Sequence, residues 1–350
     1  MVLIHLFVMF SLKRKDNTSI LKDGKRISHV DVAKGFMILL VVLGHCSATS
    51  IGDHSRLFYT IYAFHMPCWF FLSGLLYKRK EPWKFFSSKT ESLLLPYLIY
   101  SVFNILLFGF FKLVHHADVY SWFRFGGLWF LITLFFISLI YYVMDAALLN
   151  NTKPVVRTGV LSLMAIIMLI AGMSYGGGKM GTHDTITATS VNFIFFHLGY
   201  CIKSLNKRLY TESLWKRALF LLIGCAGLLL LTYMAPKNPS PVDVNINRFG
   251  NRTMFFFHAL LGIAGMILFS AGVQKNNVIE YLGRNSLLIL LLHIPLWRTF
   301  DMLCQSIGIL GYTRLSLTFI AALAFSLVLL YLINKYVPEL KGKFNYSKVE

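Results

Sequence analysis

The stretch DVAKGFMILLVVLGHCS, from Asp31 to Ser47, decides how the rest of the chain reads. Lys34 and His45 enclose ten residues that are all apolar or Gly. At ~1.5 Å rise per residue the cation and the imidazole lie about 16 Å apart along a helix axis, roughly half the hydrocarbon thickness of a bilayer. The stretch predicts a membrane helix with Lys34 near one surface and His45 near or past the midplane. Ionisable groups at that depth are costly, usually face a protein interior or a water-filled path, and are candidates for function. A neutral His hydrogen-bonded to a neighbouring helix would fit the same stretch equally well.

The composition agrees with a membrane reading. Of 350 residues, 56% are hydrophobic, 15% aromatic and only 14% charged, which excludes an ordinary soluble domain and points to an all-α polytopic membrane protein. The formal net charge of +19 could suggest nucleic acid. The basic residues, however, cluster in short segments between apolar runs, the pattern of cytoplasmic loops, so no nucleic-acid partner is expected. Cys46, Cys68, Cys201, Cys225 and Cys304 lack metal or redox spacing and read as small buried hydrophobes.

The first twelve residues are apolar but are followed, not preceded, by Lys13, Arg14 and Lys15, so they do not read as a secretory signal. Residues 1–30 are expected to form a cytoplasmic tail, 31–338 a transmembrane domain and 339–350 a second tail. Ten apolar runs fill the domain: Val32 to Thr49, Leu57 to Tyr77, Leu93 to Val114, Gly127 to Leu149, Val155 to Ser174, Val191 to Ile202, Ala218 to Met234, Thr253 to Val273, Ile279 to Trp297 and Leu315 to Val337. With the N-terminus inside, the segments on that side hold 24 Lys and Arg and those outside hold 9, which orients a single ten-helix bundle N-in and C-in. No linker separates a second domain, and no internal repeat is visible, which weakens a transporter built from duplicated halves.

Depth brings certain histidines level. His45 stands about 20 Å up the first helix, His65 about 12 Å down the second in a core of about 30 Å, and His293 about 21 Å up the ninth when counted from Ile279. His258 falls within a turn or two of that height. An imidazole is the natural general base near neutral pH, and a desolvated site favours its neutral, proton-accepting form. No histidines are paired at i, i+3 or i, i+4 and only Asp301 lies near them among carboxylates, so no metal is expected. His197 and His258 read as packed, hydrogen-bonded residues.

FHMPCWFFLSGLLYKRK, Phe64 to Lys80, is the second dense stretch. Pro67 should bend its helix just inside His65 and open space for a substrate. Ser73 and Gly74 allow close helix approach or access near the inner surface. Lys78, Arg79 and Lys80, with Lys84 and Lys89, form a cationic rim that is either ordinary cytoplasmic charge or a dock for a phosphorylated donor such as coenzyme A. On the outer side Asn247, Arg248, Asn251, Arg252 and Arg298 offer donors to a hydroxyl-rich or anionic acceptor.

Six motifs in order resemble acyltransferase family three, the membrane O-acyltransferases of surface glycans and other envelope molecules. They are DVAKGFMILLVVLGH with Lys34 and His45, FHMPCWFFLSGLLYKRK, LLPYLIYS at Leu94 to Ser101, GGLWFLITLFF at Gly126 to Phe136, FHLGYCIK at Phe196 to Lys203, and YLGRNSLLILLLHIPL at Tyr281 to Leu296. The resemblance implies transfer of an acyl group from cytoplasmic acyl-CoA, acetyl-CoA foremost, to a hydroxyl of a surface polysaccharide or lipid-linked glycan across the bilayer of a cell inner membrane. It implies no bound cofactor. It makes His45 the general base or acyl relay and Lys34 its partner near the CoA phosphates or thioester, with His65 and His293 in the same channel. Asp31, Ser73, Lys78, Arg79, Trp129, Asn251, Arg252 and Arg298 are the candidate substrate-binding residues. Lys34 departs from the Arg found in many members, and Lys lacks the bidentate fork that Arg offers a phosphate. The chain ends soon after the tenth run, so the hydrolase-like domain fused to some members is not expected. Assembly into a homo-oligomer stays open. A competing reading keeps the same residues in a transporter of a polysaccharide intermediate, with His45, His65 and His293 as a proton relay.

Overall fold

A computed structural model describes residues 28–103, 106, 128–177 and 184–336. The named elements are all helical, and among the described residues the only β pairing is one isolated bridge between Asp243 and Arg248. Helix α1 spans Ser28–Ser50 without interruption, so Lys34 and His45 stand on one rigid rod. Then come α2 (Arg56–Tyr62), α3 (His65–Leu75) and α4 (Pro82–Lys89), which runs through a π turn at Thr90–Leu94 into helix at 95–103. The chain continues as α5 (Trp129–Tyr142), α6 (Pro154–Gly177), α7 (Thr185–Cys201), α8 (Lys203–Arg208), α9 (Leu214–Met234), α10 (Arg252–Val273), α11 (Asn277–Arg284), α12 (Ser286–Ser306) and α13 (Gly311–Tyr336).

Seven of the described helices are long and apolar enough to cross a membrane. Their burial separates centre from rim: 56% of the most apolar window is buried in α1 and α10, against 17% in α6 and α9. The outer helices leave Ile166, Ile170, Leu222 and Leu229 exposed, which is stable only where lipid replaces water at the surface. Inside, Tyr141, Phe64, Phe70, Phe193, Phe195, Phe196 and Phe255 are fully buried and fill the spaces between helices.

Two of the expected crossings are rebuilt by local chemistry. The run from Leu57 to Tyr77 is broken into α2 and α3 at Ala63 and Phe64, the latter with φ −142°. Pro67 has no N–H to offer the Ala63 carbonyl and its ring crowds that turn, so the helix stops before His65 instead of bending beyond it. Pro67 then lies in the first turn of α3, where a missing N–H costs little. The run from Ile279 to Trp297 is likewise two helices. Asn276 caps α11 by accepting from Val278 N (3.1 Å) and Ile279 N (3.0 Å), and the crossing helix α12 begins only at Ser286. The expected crossing at Val191 to Ile202 is the C-terminal part of the longer α7, and that at Leu93 to Val114 is described over residues 93–103 and 106, the remainder lying outside the described residues.

Small residues let backbones touch in two places that position the site. A Cβ at Gly35 would collide with the Ile279 carbonyl oxygen and one at Gly283 with that of Asp31, which seats α11 directly on the first half of α1. A Cβ at Gly74 would strike the Phe196 carbonyl oxygen and one at Gly199 that of Phe71, locking α3 to α7. The expectation that Ser73-Gly74 permits close helix approach holds at Gly74.

Candidate active site

The break between α2 and α3 gathers a cluster at the C-terminal half of α1. Tyr62, at the end of α2, reaches His45 with its hydroxyl 3.4 Å from Nδ1. His65, the first residue of α3, sets its ring edge-on to Tyr62 at 4.6 Å between centroids. From α12, His293 brings its ring to 5.3 Å from that of His45, and Trp297, one turn on, lies nearly parallel to His45 (13°) at 6.1 Å. Arg298 holds its guanidinium carbon 5.4 Å from the centre of the Trp297 ring, which is itself stacked against His45. Beyond this cluster Arg314 grips Asp301 through both carboxylate oxygens, and Ser50 Oγ donates to Asp301 Oδ1 at 3.3 Å, so the far ends of α1, α12 and α13 are tied together.

The backbone fixes two of the imidazoles. His65 Nδ1 lies 2.9 Å from the Ile61 carbonyl oxygen, and His293 Nδ1 lies 2.8 Å from that of Leu290 and 3.1 Å from that of Ile289. A carbonyl only accepts, so Nδ1 is the protonated nitrogen in both, and a neutral ring carries its lone pair on Nε2. His293 is fully buried, and its Nε2 has no hydrogen-bond partner among the described residues. Among the described residues no carbonyl is bonded to His45 Nδ1; its contact is the Tyr62 hydroxyl, which can donate or accept. His45 can therefore change tautomer, which a proton-transferring imidazole needs.

At the other end of α1, Lys34 Nζ lies 3.9 Å from Asp31 Oδ1, and Arg284 Nε of α11 lies 3.9 Å from Asp31 Oδ2. Arg284 also donates to Glu280 Oε2 at 2.8 Å, and Glu280 accepts from Ser28. Asp31 thus holds two cations at one level, and Arg284 joins Lys34 although the spacing in α1 gave no sign of it; its place in the YLGRNS motif was the available signal.

The other sequence candidates divide. Arg298, expected among outer-loop donors, belongs to the His45 cluster. Asn251 instead caps α10, accepting from Met254 N at 3.0 Å, and Arg252 is exposed beside it. Arg248 pairs with Asp53 at 2.9 Å and Asn247 is buried in the same loop. Ser73 turns its hydroxyl back to the Trp69 carbonyl at 2.8 Å. Trp129 is buried against Phe70, 6.2 Å between ring centres. Lys78, Arg79 and Lys80 are exposed, Arg79 donating to Asn150 and Lys80 to Ser88 Oγ at 3.1 Å. His197 is packed and satisfied, 3.1 Å from the Tyr141 hydroxyl and 2.8 Å from Ser162 Oγ, as its sequence context suggested. His258 is buried, and no described contact brings it to His45. Among the described residues no three His, Cys, Asp or Glu side chains are arranged to hold a metal ion.

Sequence reading missed Tyr62 and Trp297. Trp297 stands four residues after His293, on the same face of one helix, and that spacing was the usable signal. Tyr62 offered none, because only the break at Phe64 turns it towards His45.

Fold and site together define a multi-pass helical membrane protein with a buried histidine cluster at one end of a central helix and a set of cations at the other. The family model of acyltransferase family 3, described as an acyltransferase domain, matches residues 27–335, and the chain belongs to that family. No curated protein and no solved structure gave a match.

Proposed function

We propose that the protein is an O-acyltransferase that takes an acyl group, acetyl foremost, from acyl-CoA at the Lys34 end of α1 and delivers it to a hydroxyl at the His45 end. The carrying observation is the continuity of α1, which holds the Lys34, Asp31 and Arg284 group about 16 Å along its axis from the cluster of His45, Tyr62, His65 and His293. Lys34, Arg284 and the rim of Lys78, Arg79, Lys84 and Lys89 offer charge to the phosphates of CoA. The excess of Lys and Arg on the segments expected inside supports an orientation in which that rim faces the cytoplasm and the histidines lie toward the outer leaflet of a cell inner membrane, where a surface polysaccharide or lipid-linked glycan would present its hydroxyl.

Neutral His45 takes the hydroxyl proton as the oxygen attacks the thioester carbonyl carbon. The new C–O bond forms, the C–S bond breaks, and the proton held on the imidazole leaves with the CoA thiolate. The Tyr62 hydroxyl, which can donate or accept, follows the change of proton at His45 during this step, and the low dielectric around the cluster strengthens each polar contact.

The test is the ester content of the surface glycan, by proton NMR before and after mild base, in a gene-deleted host carrying wild-type protein or His45→Ala at equal membrane expression. Restoration by wild type alone supports the reading. An ester pattern indifferent to the gene overturns glycan acylation. Purified protein that leaves radiolabelled acyl-CoA unconsumed while the glycan crosses the membrane would favour a transporter.

A further inference from the structure

Helix α12 carries three polar atoms without hydrogen-bond partners among the described residues, all buried and within six residues of one another: His293 Nε2, Trp297 Nε1 and Arg298 Nε. Trp297 is 6% exposed and His293 is fully buried, so their polar atoms are lost to bulk solvent. Leaving such groups unmet costs about 1–3 kcal/mol each, and a native site retains them where a ligand or water completes them. Their chemistry is unequal. His293 Nε2 is an acceptor, since its Nδ1–H is committed to backbone carbonyls, whereas the indole and guanidinium nitrogens are donors only. The donors belong to the residue stacked on His45 and to the one whose cation lies over that residue's ring.

Two N–H donors beside an imidazole base form the complement of a tetrahedral acyl intermediate, whose oxygen becomes negative as the base takes a proton. We propose that the indole N–H of Trp297 and the Nε–H of Arg298 form the oxyanion site of the acyl transfer, which rests on the acyltransferase reading above. As the acceptor oxygen bonds to the thioester carbon, the carbonyl π pair moves onto oxygen and is held by these two donors. When the pair returns, the C–S bond breaks and the oxygen leaves the site as the carbonyl of the new ester. Arg298 adds full charge where the anion develops, and its guanidinium carbon, 5.4 Å from the centre of the Trp297 ring, keeps the two donors near one another.

The experiment compares wild type, Trp297→Phe and Arg298→Lys in membranes of the gene-deleted host supplied with radiolabelled acetyl-CoA, with the label read in base-labile ester. Trp297→Phe keeps an aromatic ring and loses the N–H; Arg298→Lys keeps the charge and loses the Nε–H. Each should lower kcat by roughly 10²–10³-fold while KM for acetyl-CoA moves less than about threefold, because the oxyanion exists only in the transition state. A merely structural role would instead lower the amount of folded protein, measured by detergent melting, and leave kcat per folded molecule unchanged. Either folded variant turning over within about threefold of wild type overturns the proposal. If Trp297→Phe does not fold, Arg298→Lys decides by the same criterion. Wild type that transfers no label overturns the acyl-CoA reading and this inference with it.

Discussion

The imidazoles of His45 and His293 lie 5.3 Å apart between ring centres, one on the first and one on the penultimate of the described helices, and the more buried of the two presents an acceptor unmet among the described residues. His293→Gln removes that lone pair while keeping a polar side chain of similar reach. Transfer of label to base-labile ester should fall by roughly 10–100-fold, the size expected when a buried acceptor beside the base His45 no longer meets the group it completes. Retention of wild-type rate would confine His293 to packing.

The contact between α3 and α7 leaves no room for a methyl group. Gly74→Ala and Gly199→Ala each drive a Cβ into a backbone carbonyl and should destabilise the protein by about 1–3 kcal/mol or more. Gly159 of α6 faces open space, and Gly159→Ala should be neutral or stabilising by up to about 1 kcal/mol through helix propensity. Melting in detergent separates the cases, and equal melting temperatures for all three would show that the close crossing does not exist.

Asp301 and Arg314 form a buried ion pair, their side chains 8% and 9% exposed. Asp301→Asn or Arg314→Met leaves one charge without its partner and should cost about 3–5 kcal/mol. The double variant Asp301→Leu with Arg314→Met should recover part of that loss, since no charge then remains buried. A double variant less stable than either single one would contradict this account.

Asp243 lies in the loop joining α9 to α10, where burial pushes its carboxyl from the ordinary 3.8 up to about 6 against the opposing charge of Arg248. The folded loop therefore holds its proton longer than the unfolded chain does. The resulting stability is full below about pH 4, falls as pH rises to about 6 and is level above that. Limited proteolysis between α9 and α10 should accelerate across that window, and Asp243→Asn should flatten the response. An increase in protection over the same window would reverse the sign and refute the assignment.

Much of this was legible in the sequence, and the residues that were not share a physical cause. The Lys34 to His45 interval gave a continuous apolar helix, and the depths of His45, His65 and His293 gave a common level, because a helix has a fixed rise and a bilayer a fixed thickness. Ile279 belongs to the separate helix α11, so His293 stands level with His45 even though no single helix joins Ile279 to His293. Pro67 announced an interruption but not whether the helix would bend or break. Arg298 was assigned to the outer loops by its place in the chain, whereas a long side chain on α12 follows the face of its helix.

The sequence alone determined that this chain is a helical membrane protein, that a small number of its ionisable groups lie deep within apolar runs, and which family motifs it carries. These are properties of composition and axial spacing, and one strand of text records them. Only the tertiary structure decided that Tyr62 and Trp297 flank His45, that Arg284 shares Asp31 with Lys34, and that Asn251 serves a helix cap. Those facts depend on the rotation of each helix about its axis, and rotation is set by packing against neighbours such as Gly283 on Asp31 and Gly74 on Phe196.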